Sequence, residues 1–113
     1  MSQVRESEFV FLYSTLPDPD SAERVARALI EAKLAACVNV FPPMNSFYCW
    51  EGKPESARET AMLIKTRRSL AERAMEAARP LHPYSIPCFL LLPIEGGNEE
   101  YLAWARTQTL ADA

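Results

Sequence analysis

The chain has 113 residues, 49% of them hydrophobic, and a formal net charge of −3. This length suits a single domain, residues 1–113, with its own apolar core, and we expect residues 1–8 to form a disordered tail. Mild acidity argues against nucleic-acid binding, which needs clustered basic residues to displace counterions. The polar N-terminus lacks an apolar signal segment, and the longest apolar run is too short to span a membrane. We therefore expect a cytoplasmic protein with no nucleic-acid or membrane partner.

The first predicted elements are a strand and a helix. The apolar, aromatic and β-branched segment Phe9–Tyr13 predicts a buried strand. Asp20 and Glu23 have the spacing of a capping box, and the helix that they open is predicted to bury one stripe at i, i+3, i+4 spacing. That stripe consists of Ala22, Val25, Ala26, Leu29 and Ile30.

An interrupted hairpin is predicted next. Residues 36–41 favour a second strand, and the Pro42-Pro43 pair cannot donate ladder hydrogen bonds, so strand pairing is expected to break there. The extended pattern resumes at residues 46–50, and residues 51–54 have turn chemistry. Residues 59–66 predict a third strand, antiparallel to the second.

A second helix and a fourth strand complete the pattern. Ser69 and Glu72 form another capping-box candidate, and Pro80 is predicted to end the helix that follows. Its predicted buried stripe consists of Ala71, Ala74, Met75 and Ala78. Prolines stiffen the connector at residues 82–87. A fourth strand is predicted at residues 88–95, and a short terminal helix at residues 99–109.

The order β-α-β-β-α-β with a short C-terminal helix predicts an α+β fold, the ferredoxin-like split pattern with an antiparallel sheet. Two long helices can cover only one face of such a sheet. The strands are nevertheless apolar on both faces, since Phe9 and Phe11 alternate with Val10 and Leu12. A sheet with one wet face should alternate apolar and polar residues. We therefore expect the second face to be covered by self-association.

Five short motifs carry a family resemblance. They are Ala35–Val40, Tyr48-x-Trp50-x-Gly52-Lys53, Glu59 followed by Ile64–Thr66, His82-Pro83-Tyr84-x-x-Pro87, and Pro93-Ile94 followed by Tyr101-Leu102-x-Trp104. In order and spacing, over about residues 9–107, they resemble the signature of the CutA family of divalent-cation tolerance proteins. The resemblance implies a ferredoxin-like fold, a compact homotrimer with its sheets packed inside, and a role in divalent-cation tolerance, copper included.

The sequence also departs from the family pattern. Ser85 and Cys88 stand where the family pattern usually has glutamates, so two hard oxygen ligands are missing. The cysteine that some members carry in the first strand is also absent, because Tyr13 and Ser14 occupy that region.

The candidate metal ligands are His82, Cys37 and Cys49. His82 is the only histidine, and imidazole suits Cu²⁺ and Zn²⁺. We favour the alternative that it hydrogen-bonds the backbone of a stiff loop, because one histidine makes a poor tetrahedral set. The two cysteines are candidate Cu⁺ ligands, although free cysteines are usually small buried hydrophobes. We expect no required cofactor and only weak binding of Cu²⁺ or another divalent cation.

A second candidate site is a pocket for a small anion. Its predicted residues are Tyr48, Trp50, Lys65, Tyr84 and Trp104. Lys65 would supply positive charge, the tyrosines hydroxyl groups and Trp50 an apolar wall. In the alternative, the aromatic side chains fill a subunit interface and Lys65 contacts water or a carboxylate such as Glu59.

Three functions stay open from the sequence. We prefer a trimeric metal-responsive or ligand-binding protein that is not an enzyme, with a small anion or another protein as partner. The second is a small trimeric enzyme with an intersubunit site that uses Cys37 or His82, although no Ser-His-Asp or Cys-His pair is recognisable. The third is a PII-like signalling scaffold, which rests on analogy of fold.

Overall fold

Five antiparallel strands and three α-helices make up residues 7–111, the part of the chain that the computed structural model describes. The elements are β1 (Phe9–Leu16), α1 (Pro19–Glu31), β2 (Cys37–Val40), β3 (Met44–Trp50), β4 (Lys53–Arg67), α2 (Ala71–Ala78), β5 (Leu90–Ile94) and α3 (Glu99–Gln108). The strand order is β2-β4-β1-β5, and β3 pairs with β4. The predicted ferredoxin-like split fold is therefore confirmed.

The predicted third strand, residues 59–66, covers only about half of β4. β4 has 15 residues; residues 60–67 pair with β1, and residues 53–59 pair with β3. The predicted turn at residues 51–54 shrinks to Glu51 and Gly52, whose φ angles of 50° and 78° suit a tight hairpin turn. The Phe41 amide still donates to the Ala61 carbonyl of β4 at 2.9 Å. Pairing is then interrupted at Pro42 and Pro43, as predicted.

Both capping boxes were placed wrongly. The N-cap of α1 is Asp18, whose Oδ1 accepts hydrogen bonds from the Ser21 amide at 2.8 Å and the Ser21 hydroxyl at 2.6 Å. These bonds lower the pKa of Asp18. Pro19 then occupies the first turn, where its missing N–H costs nothing. A 3₁₀ turn, Arg68–Leu70, precedes α2, so its N-cap is Leu70 and not Ser69.

Helices α1 and α2 cover one face of the sheet. The fully buried side chains between them and the strands include Val10, Leu12, Leu29, Met62, Ile64 and Ala74. The predicted stripe of α1 is one residue too wide, because Leu29 is fully buried and Ile30 is 43% exposed. Val10 and Leu12 of β1 thus belong to the helix-covered face.

The other face of the sheet is apolar and largely uncovered. Helix α3 covers only one end, where Ala105 packs with Phe9 and Ile94. By strand alternation and register, the remaining large apolar side chains of the strands on this face are Phe11, Tyr13, Leu63, Leu90 and Leu92, which we call the open face. Leu90 is 57% exposed and Leu92 43% exposed. The predicted second apolar face is therefore present.

The N-terminal tail was expected to cover residues 1–8. Residues 1–6 lie outside the described part of the chain. Ser7 and Glu8 are held in place: the Arg68 side chain donates to the Ser7 carbonyl at 2.8 Å, and Arg106 donates to the Glu8 carboxylate at 2.7 Å. Within residues 7–111, none of the helices is long and apolar enough to cross a membrane.

The unequal burial of two neighbouring residues in α1 gives a stability test. Leu29→Ala should lower the free energy of unfolding by about 2–5 kcal/mol, because it opens a cavity in the core. Ile30→Ala should cost less than about 1 kcal/mol, because that side chain is partly exposed already. Urea denaturation of both variants at one protein concentration checks this, and equal losses would contradict the packing.

Candidate functional site

A cleft of about 710 Å³ lies beside the N-terminal half of β4. Glu55 and Glu59 of β4 and Tyr48 and Trp50 of β3 line one side. The connector between α2 and β5, residues 82–89, closes the other side through Tyr84 and its neighbours. The size falls within the range typical of small-molecule sites, about 300–1,000 Å³.

The hairpin of β3 and β4 sets the orientation of this wall. Tyr48 pairs with Glu55 across the two strands, and Trp50 pairs with Lys53. Because alternate residues of a strand share a face, Glu55 and Glu59 lie on the same side as Tyr48 and Trp50. Trp50 is 59% exposed, so its ring is available as an apolar surface.

One hydrogen bond joins the two walls. The Tyr84 hydroxyl donates to Glu59 Oε2 at 2.7 Å. Burial, and then this bond, raise the pKa of Tyr84 above its ordinary value of 10.0. Tyr84 is therefore a protonated donor at any physiological pH, and it ties the connector to β4.

His82 holds the same connector from the opposite side. Its ring is buried, with Nε2 at 3.2 Å from Ser14 Oγ, and its Nδ1 accepts the Tyr84 amide proton at 3.2 Å. Since Nδ1 accepts, the neutral ring carries its proton on Nε2 and donates to Ser14. Both ring nitrogens thus have partners inside the chain, which agrees with the backbone-bonding alternative.

The candidate metal ligands do not meet within this chain. Cys37 lies on β2 opposite Lys65, and Cys49 lies near the tip of β3, opposite Pro54. Both are free thiols. In the described range, 7–111, no cluster of three or more His, Cys, Asp or Glu side chains is placed to hold a metal ion.

The predicted anion pocket is divided between two places. Tyr48, Trp50 and Tyr84 line the cleft. Lys65 lies against α3, with Nζ at 5.8 Å from the Tyr101 ring centre. The Trp104 ring is 5.5 Å from the same tyrosine ring. One chain therefore does not bring the five residues together, and Glu59 bonds Tyr84 in place of Lys65.

Sequence reasoning missed Glu55 as part of the site. The segment carries no clear strand signal, because residues 53–58 do not alternate between apolar and polar types and residues 51–54 have turn chemistry. The sequence points to Glu59 through a family motif and as a carboxylate partner for Lys65, but not as a lining residue of the pocket. Among the described residues that line the cleft, both charged side chains are acidic.

The fold and this cleft define a small ferredoxin-like α+β protein with an aromatic and acidic site. The family model of the CutA1 divalent ion tolerance protein matches residues 10–108. The chain belongs to the CutA family, as its motifs indicated.

Two relatives show the extent of the likeness. The chain is 47% identical over 94 residues to the divalent-cation tolerance protein CutA of Archaeoglobus fulgidus, which covers 83% of this chain and 91% of that protein. It is 41% identical over 103 residues to human protein CutA, which covers 89% of this chain. It spans only 58% of that human protein.

Solved structures agree with the fold. CutA1 from the psychrotrophic bacterium Shewanella sp. SIB1, described as a stable protein, superposes with a TM-score of 0.91 at 34% identity, covering 95% of this chain and 100% of that one. The structure of the Archaeoglobus fulgidus protein gives a TM-score of 0.85 at 44% identity, covering 88% of this chain and 97% of that one.

The relatives are described in different compartments. The Archaeoglobus fulgidus protein is described as periplasmic, and a relative from rice, Oryza sativa, as chloroplastic. Family membership thus does not fix a compartment for this chain.

The buried imidazole gives a pH prediction. Burial lowers the pKa of His82 below the ordinary 6.5, and it outweighs the Thr15 backbone and Glu59, which raise it. As the pH falls, the unfolded chain binds this proton first, so the stabilisation is complete above pH 6.5 and is lost below it. The free energy of unfolding should therefore fall between about pH 7 and 5.5, a range above most carboxyl pKa values.

Urea denaturation of the wild type and of His82→Asn across that range measures the effect. The variant should be less stable at pH 7, since its hydrogen bonds to Ser14 and Tyr84 are weakened, and it should lose the pH dependence. Parallel curves for the two proteins would show that His82 is not the titrating group.

Proposed function

We propose that this CutA-family chain acts in divalent-cation tolerance as a homotrimeric, cytoplasmic, non-enzymatic protein whose cleft binds a small ligand. The observation that carries the proposal is the Tyr84–Glu59 hydrogen bond, which holds the two walls of a cleft of about 710 Å³. A pre-formed concave site with aromatic walls and few polar groups is typical of ligand binding. The metal response would then arise from a bound ligand or a protein partner.

Tight chelation is a poorer explanation of metal tolerance here. A metal at His82 would have to displace its bond to Ser14 or to the Tyr84 amide. The cleft is lined by two carboxylates and the Cys88 thiol, but within residues 7–111 no three His, Cys, Asp or Glu side chains are placed to hold one metal ion, as an ordinary zinc site requires. We therefore propose that copper binds weakly and that no cofactor is required.

The trimer is proposed from the open face. Each large apolar side chain that leaves water on burial contributes roughly 1.5–3 kcal/mol, and the five side chains of the open face are only partly covered by this chain. Covering them with further copies of the chain removes that exposure. The number three comes from the family resemblance, because the exposed face alone would also suit a dimer.

The geometry of residues 7–111 gives no specific support to either alternative function, the small trimeric enzyme or the PII-like scaffold. As a general base toward Ser14, His82 would need a free lone pair on Nε2, but its Nδ1 accepts the Tyr84 amide and leaves the proton on Nε2. Ser14 is also fully buried, beyond the reach of a substrate. The function of a PII-like scaffold is supported only by the analogy of fold.

Sedimentation equilibrium at micromolar concentration tests the trimer. The wild type should have three times the chain mass of 12.7 kDa. Leu92→Lys on the open face should shift the protein to smaller species, since it places a charge in the interface. Ile30→Lys is the matched control, because both residues are 43% exposed but Ile30 lies on α1. A wild-type monomer, or equal effects of the two variants, would contradict the proposal.

Calorimetric titration with Cu²⁺ tests the metal proposal. The wild type should bind more weakly than about 1 μM, the affinity that corresponds to roughly 8 kcal/mol, and His82→Ala should abolish what binding there is. Sub-micromolar binding that survives in the variant would show a metal site elsewhere and contradict the proposal.

A further inference from the structure

The cleft has an unbalanced charge. Glu55 and Glu59 line it, together with tyrosine, tryptophan, serine and cysteine side chains, and no Lys, Arg or His is among its described lining residues. Within residues 7–111, the Tyr84 hydroxyl is the partner described for the Glu59 carboxylate, and it bonds only Oε2. A half-buried carboxylate with one neutral donor keeps its negative charge largely uncompensated, and the reduced dielectric strengthens its field.

The rest of the lining distinguishes between kinds of cation. A divalent metal ion prefers six or more oxygen ligands or a compact set of nitrogen and sulfur ligands. The α-carbons of the two glutamates are about 13 Å apart along β4, at 3.3 Å per residue. Within residues 7–111, no group of three or more His, Cys, Asp or Glu side chains is placed to hold a metal ion. Aromatic walls add nothing for a hydrated metal ion, whereas they attract ammonium groups and bury apolar ligand surface.

We infer that the cleft binds an organic cation, an ammonium group carried on an apolar or aromatic body. The inference rests on the proposed function, because it names the ligand class of the same cleft. Glu59 receives the ammonium group through Oε1 while Tyr84 keeps Oε2 in place. Trp50 and Tyr48 cover the apolar body, and Glu55, opposite Tyr48, adds negative potential at the outer end.

Three probes of nearly equal size separate charge from shape. They are 2-phenylethylamine, which is protonated at pH 7.5, the anion phenylacetate, and the neutral 2-phenylethanol. Isothermal titration of the intact wild-type protein at low salt should show the amine binding at least about tenfold more tightly than either other probe, and the preference should shrink as salt screens the carboxylates.

Variants locate the binding. Glu59→Gln keeps an oxygen that can accept from Tyr84 but removes the charge, and it should weaken amine binding by at least about tenfold. Glu55→Gln should weaken it less, because that side chain is exposed. Glu76→Gln on the exposed side of α2 is the control and should change nothing. Phenylethanol binding, where measurable, should be unchanged in Glu59→Gln but weakened by Trp50→Ala.

Each contrary result has a distinct meaning. If phenylacetate binds more tightly than the amine and Trp50→Ala weakens it, the cleft is a ligand site but the cation inference is wrong. If no probe binds, both the inference and the proposed ligand site fail. Amine binding that is unchanged in Glu59→Gln, or that an equimolar amount of Mn²⁺ displaces, would also overturn the inference, since the amine would lie elsewhere or the carboxylates would serve a metal ion.

Discussion

The architecture depends on one strand that pairs with three others. The C-terminal half of β4 lies between β1 and β2, and its N-terminal half pairs with β3 alone. The interruption at Pro42 and Pro43 allows this division, because neither proline can donate a hydrogen bond to the ladder. One half of β4 is therefore buried in the sheet, and the other extends from it as a two-stranded arm. The cleft lies beside that arm, where the connector at residues 82–89 returns to it.

The two-residue period of the strand links the cleft with the open face. Glu55 and Glu59 in the arm, and Ala61 and Leu63 further along, occupy the same face of β4, so an acidic stretch of that face is followed by an apolar one. A ligand in the cleft and a second copy of the chain on the open face would thus be neighbours.

The order of elements could be predicted from the sequence because buried positions recur with the period of the helix or strand that contains them. The stripes of α1 and α2 and the apolar strands each have the period of their structure, and the pairing of β2 with β4 followed from their order. The start of β4 was predicted six residues too late, because Lys53, Pro54 and Glu55 are all exposed in the chain, so no apolar alternation indicated a strand. The N-cap of α1 was misplaced by two residues because Asp18 and Asp20 are equally suited as types, and only the first reaches the Ser21 amide.

The side chains that form the candidate site were harder to predict, because they are brought together by contacts between residues distant in sequence. His82 contacts Ser14 across 68 positions of sequence, and Tyr84 contacts Glu59 across 25.

The predicted place of Lys65 in the pocket rested on its charge. The register of the strands places it opposite Phe11 and Cys37 instead, close to α3. Motif similarity identified Tyr48, Trp50 and Tyr84 correctly as neighbours, whereas it carried no information about which side of the sheet α3 would cover.

Tyr84 connects the histidine to the cleft. Its amide is bonded to His82 Nδ1, while its hydroxyl is bonded to Glu59. The neighbouring Pro83 and Pro87 restrict the backbone of the connector, so these two bonds fix one wall of the cleft. A metal ion that took a ring nitrogen of His82, or a proton added to Nδ1, would remove at least one of the two contacts that hold the ring. Because coupling between two sites is reciprocal, a ligand that needs Tyr84 in its present position would in turn oppose metal binding and protonation at His82.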